Sequence, residues 1–240
     1  RRHTRYIGDW SSDVCSSDLL LFLIALFEDQ MHSFIYLASQ SPRRQELLQQ
    51  IGVQFELLLA DVSEDAESLE AHIAGESALE YVERVTLAKV DAALQRLKTR
   101  DLPWAPILCA DTTVAIVIDG QETILGKPED EVDAKRILSL LSGKTHQVHT
   151  AVAVLGSENE PPRQLISTSS VTFKQLDESE INAYVASQEP MGKAGAYGIQ
   201  GIAGSFVGHI SGSFSSIMGL PLYETAQLLQ ETGVKFSINQ

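Results

Sequence analysis

The chain has 240 residues, with 18 Lys+Arg against 32 Asp+Glu, two Cys and a formal net charge of −14. That length suits one large domain or two small ones, and 44% hydrophobic with 21% charged residues excludes a mostly disordered chain. The acidic balance excludes a general nucleic-acid or anionic-membrane binder, which needs a basic face, but leaves room for an anionic small substrate held by a local basic cluster. Cys15 and Cys109 are too few for a disulfide framework or a zinc site, and they point to a reducing compartment.

Residues 1–18, RRHTRYIGDWSSDVCSSD, have no helical or strand period. The apolar run 19–27 is too short for a membrane-spanning helix, which needs about 17–25 such residues. Acidic Glu28-Asp29 stand where a signal peptide would be cleaved. Residues 1–18 resemble a translated adaptor read-through, and 1–30 are expected to be an artefactual or disordered extension ahead of a domain at 31–240. Removing its three basic and five acidic residues leaves 15 basic and 27 acidic groups, a net charge of −12.

From Met31 onward the pattern is regular. FIYLA at 34–38 reads as a short buried strand, broken by Ser39-Gln40-Ser41-Pro42. Ser41 suits an N-cap and Pro42 the first helical position, so a helix runs to about Gln50 and ends at Gly52. A strand at 53–59, an acidic loop at 61–70 and a long amphipathic helix at 76–98 follow. ILCA at 107–110 leads to Asp111 at a strand end, VAIVI at 114–118 reads as a buried strand, and Asp119-Gly120 signals a hairpin. A helix at 129–141, strands at 147–155 and 165–174 and a helix at 178–187 come next, the last with Asp177 and Glu180 at capping-box spacing. Residues 189–219 read as a Gly/Ser-rich stretch, and Pro221 opens a last helix to about Gln230. Mixed strands and helices without a repeat make the fold class α/β.

Four stretches carry candidate chemistry. Ser39-x-Ser41-Pro42-Arg43-Arg44 lies at a strand-to-helix turn, where free N–H groups and two guanidinium forks suit a phosphate; a capped surface helix with solvated arginines fits the same letters. Asp111 can hold Mg²⁺ or orient water, or satisfy turn N–H groups. Lys127, in Gly126-Lys127-Pro128, reaches a phosphate or is simply exposed. Lys193 to Gly201, KAGAYGIQG, allows close backbone approach to a ligand, or is a bland glycine loop. His146 and His149 are three apart in a strand, on opposite faces, which disfavours a metal pair. Cys109 has no activating neighbour and reads as a core residue.

Taken together, LASQSPRRQELL at 37–48, ADTTV at 110–114, LGKPED at 125–130, LSGKTHQVHTAVAV at 141–154, EPMGKAGAYGIQG at 189–201 and GLPLYET at 219–225 resemble the Maf family of nucleoside triphosphate pyrophosphatases, closest to the branch acting on dTTP and UTP. The resemblance implies a Maf/inosine-triphosphatase-like α/β fold: an elongated mixed sheet with flanking helices, a pair of domains and a central cleft, usually as a homodimer. It implies hydrolysis of the α–β phosphoanhydride of a nucleoside triphosphate to a nucleoside monophosphate and pyrophosphate, in the cytoplasm, with a divalent cation (Mg or Mn). Asp111 matches the catalytic acidic residue. Arg43, Thr112 and Gln200 match positions linked to substrate choice, and Ser39, Arg44, Lys89, Lys127 and Lys193 match phosphate-binding ones. Glu64 joins Asp111 as a metal position. Gln200 offers an amide donor and acceptor that complement a uracil or thymine edge. Three positions depart from the common pattern: Gly192 stands for an Asp, Phe214 for a Tyr, and Ala88 for an acidic residue. A 7-methyl-GTP pyrophosphatase of the same family and a non-catalytic nucleotide-binding regulator of septum formation are the alternatives.

Overall fold

The computed structural model describes residues 31–61, 64–65 and 68–238. The expectation for residues 1–30 lies outside the described residues. Apolar β-branched runs that must be buried on both faces build the sheet first. Its strands are β1 (Ile35–Leu37), β2 (Phe55–Leu57), β3 (Ile107–Ile118), β4 (Gln121–Leu125), β5 (Thr145–Leu155), β6 (Arg163–Phe173) and β7 (Val207–Ser211). Helices α1 (Pro42–Gln50), α2 (Ala78–Thr99), α3 (Glu131–Leu141), α4 (Glu178–Ala186), α5 (Phe214–Met218) and α6 (Leu222–Glu231) flank it. The strand order is β2-β1-β3-β5-β6-β7, with β4 also paired to β3. β1 is parallel to β2 and β3, and the remaining pairs are antiparallel. This is the mixed α/β sheet expected; the implied pair of domains is not separate, because the described residues from His32 onward form one compact unit.

Strand alternation sorts the core. Leu108, Ala110, Val114 and Ile116 of β3 pack with Val148 and Val152 of β5 against α1, α3, α4 and α6. The residues between them, Ile107 and Cys109, face α2 through Val90, Ala93 and Leu97. Tyr81, Val82 and Val85 of α2 cover Ala151 next to them.

β3 differs from its expected form. It is one continuous strand, and Asp111 lies at its middle rather than at a strand end. Pairing with β5 runs unbroken from Ile107 to Ala115, Asp111 opposite Ala151, so the backbone groups stay satisfied although three polar side chains interrupt the apolar run. The opposite edge behaves otherwise. β1 pairs only with Ile107 and Leu108, and β4 only from Val114 onward. Among the described residues, 109–113 therefore have no strand partner on that edge. The β3–β4 hairpin turns at Asp119 and Gly120, both with positive φ (51° and 81°), as a primed turn requires.

A strand and an α-helix were not expected within 189–219: the short strand β7 and the five-residue α5. Both are too short for a period to show, and both form by pairing with or packing on β6. Ser41 stands at the N-cap of α1 with Pro42 in the first turn, yet its hydroxyl makes no capping bond. The Asp177/Glu180 capping box forms as expected, and a second one, Ser77/Glu80, starts α2. Replacing Ser77 with Ala removes the acceptor for the Glu80 N–H; a loss of about 1 kcal/mol and of roughly 2–4 °C in Tm is expected in urea and thermal unfolding.

Candidate active site

The unpaired stretch of β3 opens into a cleft of ≈ 1060 Å³. β1 and β4 leave β3 in different directions there. The chain after β1 brings Ser39 and the first turn of α1, and the chain after β4 brings Lys127. Ligand sites of open α/β sheets form where neighbouring connections part in this way. Because the cleft wraps an open edge, both faces of β3 contribute: Asp111 on the α2 side and Thr112 on the other.

On the α2 side, Asp111 is 7% exposed. Its Oδ1 accepts from Lys89 Nζ at 2.6 Å, and Lys89 also donates to Glu70 Oε1 at 2.8 Å. The other Glu70 oxygen accepts from Lys127 Nζ at 2.6 Å. Burial would raise the Glu70 pKa, but the Lys89 charge and the hydrogen bonds from both lysines prevail and hold it down to about 2.

Glu64, expected beside Asp111 as a metal position, also lines the cleft, but its carboxylate is engaged by the Arg96 guanidinium at 2.6–3.0 Å and faces Arg100 at 3.7 Å. Arg96 in turn donates to Leu58 O at 2.7 Å, so this pair fastens the chain after β2 to α2. The carboxylate that shares an ammonium with Asp111 is Glu70.

On the other side, the arginines meet the end of α5. Arg43 Nε donates to Met218 O at 3.2 Å, and Arg44 Nε to Gly219 O at 2.8 Å. The last carbonyls of a helix lack intrahelical partners and attract cations. Gly219 is left-handed (φ 116°), and Arg44 Nε and Thr112 Oγ1 each lie 3.7 Å from where a Cβ would stand. Ser39 Oγ accepts from Arg44 Nη1 at 3.1 Å and from the Ser41 N–H at 3.2 Å. Thr112 shares a hydrogen bond with Thr150 at 3.0 Å, and Thr150 donates to Ser216 O at 2.8 Å. Lys193 donates to Glu189 O. Burial, with Arg43 nearby, lowers its pKa.

Of the expected site residues, Ser39, Arg43, Arg44, Glu64, Lys89, Asp111, Thr112, Lys127 and Lys193 all line the cleft. Gln200 does not. It is exposed on a turn closed by Gly201 N to Gly198 O at 3.0 Å. The Glu189 carboxylate accepts the Ile202 N–H at 3.0 Å, and a Cβ on Gly201 would stand 2.4 Å from it. That grip fixes the turn with buried Ile199 inward and Gln200 outward. Gly192 is likewise exposed, with nothing within 4 Å of where its Cβ would be.

Sequence reasoning missed Glu70 and Glu189. Glu70 sits in a loop noted only as acidic, and its lysines come from other elements. Tyr197 also lines the cleft, and its hydroxyl meets His146 Nε2 at 2.9 Å. His149 bonds Thr168 instead, at 2.9 Å, so the two histidines do face apart. Burial holds His146 at a pKa of about 4 and pushes the Cys109 thiol up to about 12. His146 is thus a neutral imidazole bonded to Tyr197, and Cys109 a protonated, unreactive thiol.

The family resemblance implies a divalent cation. Among the described residues no three His, Cys, Asp or Glu side chains converge as a metal cage. Mg²⁺, however, commonly binds one or two carboxylates together with substrate phosphates. Asp111 brings such a carboxylate to the cleft, with one oxygen, Oδ1, engaged by Lys89.

The depressed Glu70 pKa sets a stability window. The ionised carboxylate stabilises the fold above its unfolded value of 4.5, and the contribution is lost as pH falls toward about 2. Glu70→Gln is therefore expected to have a lower urea midpoint than the wild type at about pH 6, with the gap narrower at about pH 3. A gap independent of pH would show that the charge of Glu70 does not stabilise the fold.

Comparison with known proteins bears on the whole unit. The family description "Maf-like protein" matches residues 34–232. A dTTP/UTP pyrophosphatase of Albidiferax ferrireducens is 57% identical over 205 residues, covering 85% of this chain and 100% of that protein. One of Cupriavidus metallidurans is 59% identical over 206 residues, covering 86% and 100%. One of Ralstonia nicotianae is 57% identical over 203 residues, covering 85% and 96%. With a family match across nearly the whole described unit and relatives of this identity spanned end to end, the chain belongs to the Maf family.

Proposed function

We propose that this chain hydrolyses dTTP and UTP to the nucleoside monophosphate and pyrophosphate. Its relatives named dTTP/UTP pyrophosphatase, 57–59% identical over their whole length, support the substrate class. The observation that carries the reading is Asp111 on the open edge of β3, paired with Lys89 at 2.6 Å and flanked by Arg43, Arg44, Lys127 and Lys193 in one cleft. A nucleoside triphosphate brings about four negative charges, and its cleavage depends on positioning and charge stabilisation.

In this mechanism the arginines and lysines hold the triphosphate and offset the charge that develops on it. The guanidinium planes are held by their Nε bonds to Met218 O and Gly219 O, so their orientation is set before substrate arrives. Asp111 would take the water's proton as the water oxygen bonds to the α-phosphorus and the α–β bridging oxygen leaves with pyrophosphate. Asp111 would also hold a Mg or Mn ion jointly with substrate, with Glu64 contributing only after release from Arg96. When bound, the cation supplies Lewis-acid stabilisation of the phosphate oxygens.

Substrate choice is assigned to Arg43 and Thr112 within the cleft. Gln200, on the exposed turn, takes part in base reading only if its turn reorients. A homodimer and a cytoplasmic location, where nucleoside triphosphates are met, complete the proposal. No described helix is long and apolar enough to cross a membrane.

The test is pyrophosphate release by the purified chain from UTP, dTTP, CTP and 7-methyl-GTP with Mg²⁺ or Mn²⁺. UTP and dTTP are expected to have the highest kcat/KM. A preference for 7-methyl-GTP would select the sister specificity, and binding without turnover the regulator reading. Asp111→Asn keeps the size but removes the charge; turnover is expected to fall at least 100-fold, with the fold retained. Activity within about tenfold of wild type would make Asp111 a structural residue.

A further inference from the structure

Glu70 lies outside the motifs through which the chain resembles its family, yet the structure fixes it with care. It closes a 3₁₀ turn, Ser68–Glu70, whose backbone is strapped to α2. Tyr81 Oη donates to Glu70 O at 3.1 Å, and Arg84 donates to Leu69 O at 3.5 Å and Ala71 O at 3.0 Å. Arg84 is itself fixed by Glu76 at 2.6 and 2.8 Å and lies over the Tyr81 ring. His72 stacks on the other partner of that contact, Tyr81, at 4.6 Å between centroids. The backbone from Leu69 to Ala71 is thus tethered to α2, and the Glu70 side chain projects to Lys89 and Lys127.

Those two ammonium groups come from different elements, α2 and the segment after β4, and repel each other. The two oxygens of Glu70 take one each. Lys89 has three N–H donors, and it divides them between Glu70 and Asp111. A neutral residue at position 70 would release Lys127 into solvent, where its side chain is already 53% exposed. It would also remove the second carboxylate from Lys89, so that the whole ammonium charge falls on Asp111, already 2.6 Å away.

We propose that Glu70 is a positioning residue: it holds Lys89 and Lys127 as a fixed pair for the triphosphate and takes part of the Lys89 charge that would otherwise fall on Asp111 alone. The inference rests on the pyrophosphatase reading above. It makes two separable claims, since Lys127 acts on substrate binding and the sharing of Lys89 acts on turnover.

The experiment compares wild type, Glu70→Gln and Glu70→Asp in the full chain. It measures kcat and KM for UTP, and calorimetric binding of a UTP analogue with a methylene group between the α and β phosphorus atoms. Glu70→Gln is expected to raise KM and lower kcat, each by roughly tenfold, and to weaken analogue binding to match. Glu70→Asp keeps the charge and should recover most of both. Unchanged constants in Glu70→Gln would overturn the proposal. So would a lower KM, which would mark the carboxylate as a competitor for the phosphate seat. A fall in kcat alone, with KM unchanged, a lowered Tm and no recovery in Glu70→Asp, would reduce Glu70 to a structural residue and equally overturn it. If wild type releases no pyrophosphate, the pyrophosphatase reading fails by itself. Analogue affinity then decides the positioning role: weakened binding in Glu70→Gln supports it, and unchanged binding rejects it.

Discussion

The site depends on a gap in hydrogen bonding along one edge of β3. Residues 109–113 pair with β5 on one side, while β1 stops at Leu108 on the other and β4 begins at Val114. A strand paired on both edges would have no space beside Asp111. A strand unpaired on both would not hold it still. Pairing on one edge alone gives a stiff backbone beside an opening, and the departing ends of β1 and β4 place their side chains around it. The same alternation that buries Leu108 and Ala110 on one face and Cys109 on the other turns Asp111 and Thr112 to opposite sides of the cleft.

Electrostatics follow from that geometry. A chain with a net charge of −14 gathers arginines and lysines in one cleft, and like charges at close range need fixed partners. The arginines are held by carbonyls at the end of α5, which a five-residue helix cannot satisfy itself. The lysines are held by Glu70, Asp111 and the Glu189 carbonyl. Each anchor orients a cation without burying it beyond reach of a phosphate. Glu64 is different: Arg96 and Arg100 fold its carboxylate into the wall of the cleft.

The glycine-rich segment shows how a local pattern can mislead about direction. Four small residues around Lys193 do allow close approach, and Lys193 and Tyr197 reach the cleft. Three residues after Tyr197, the turn has reversed. Tyr184 donates to Glu189 and accepts the Gly198 N–H, and Glu189 grips the N–H groups beyond Gly201. Gln200 is left pointing to solvent by contacts made with α4, a partner that nothing in the segment itself announces.

The sequence by itself determined the elements whose cause is local. Pro42 after Ser41, the Asp177/Glu180 box, the Asp119-Gly120 turn and the β-branched strands each carry their own reason for forming, and motifs in order carried the family. Tertiary structure decided the rest. β3 runs straight through Asp111, where the letters suggested an end, because β5 satisfies the backbone that the polar side chains left in doubt. β7 and α5 are too short to have a period and exist through β6. Glu70 joins the site although nothing nearby in sequence explains it, since its partners Lys89 and Lys127 are brought to it by a helix and a hairpin end. The physical reason is common to all three. Backbone propensity acts over a few residues, whereas pairing, burial and charge act between residues that only the folded chain makes neighbours.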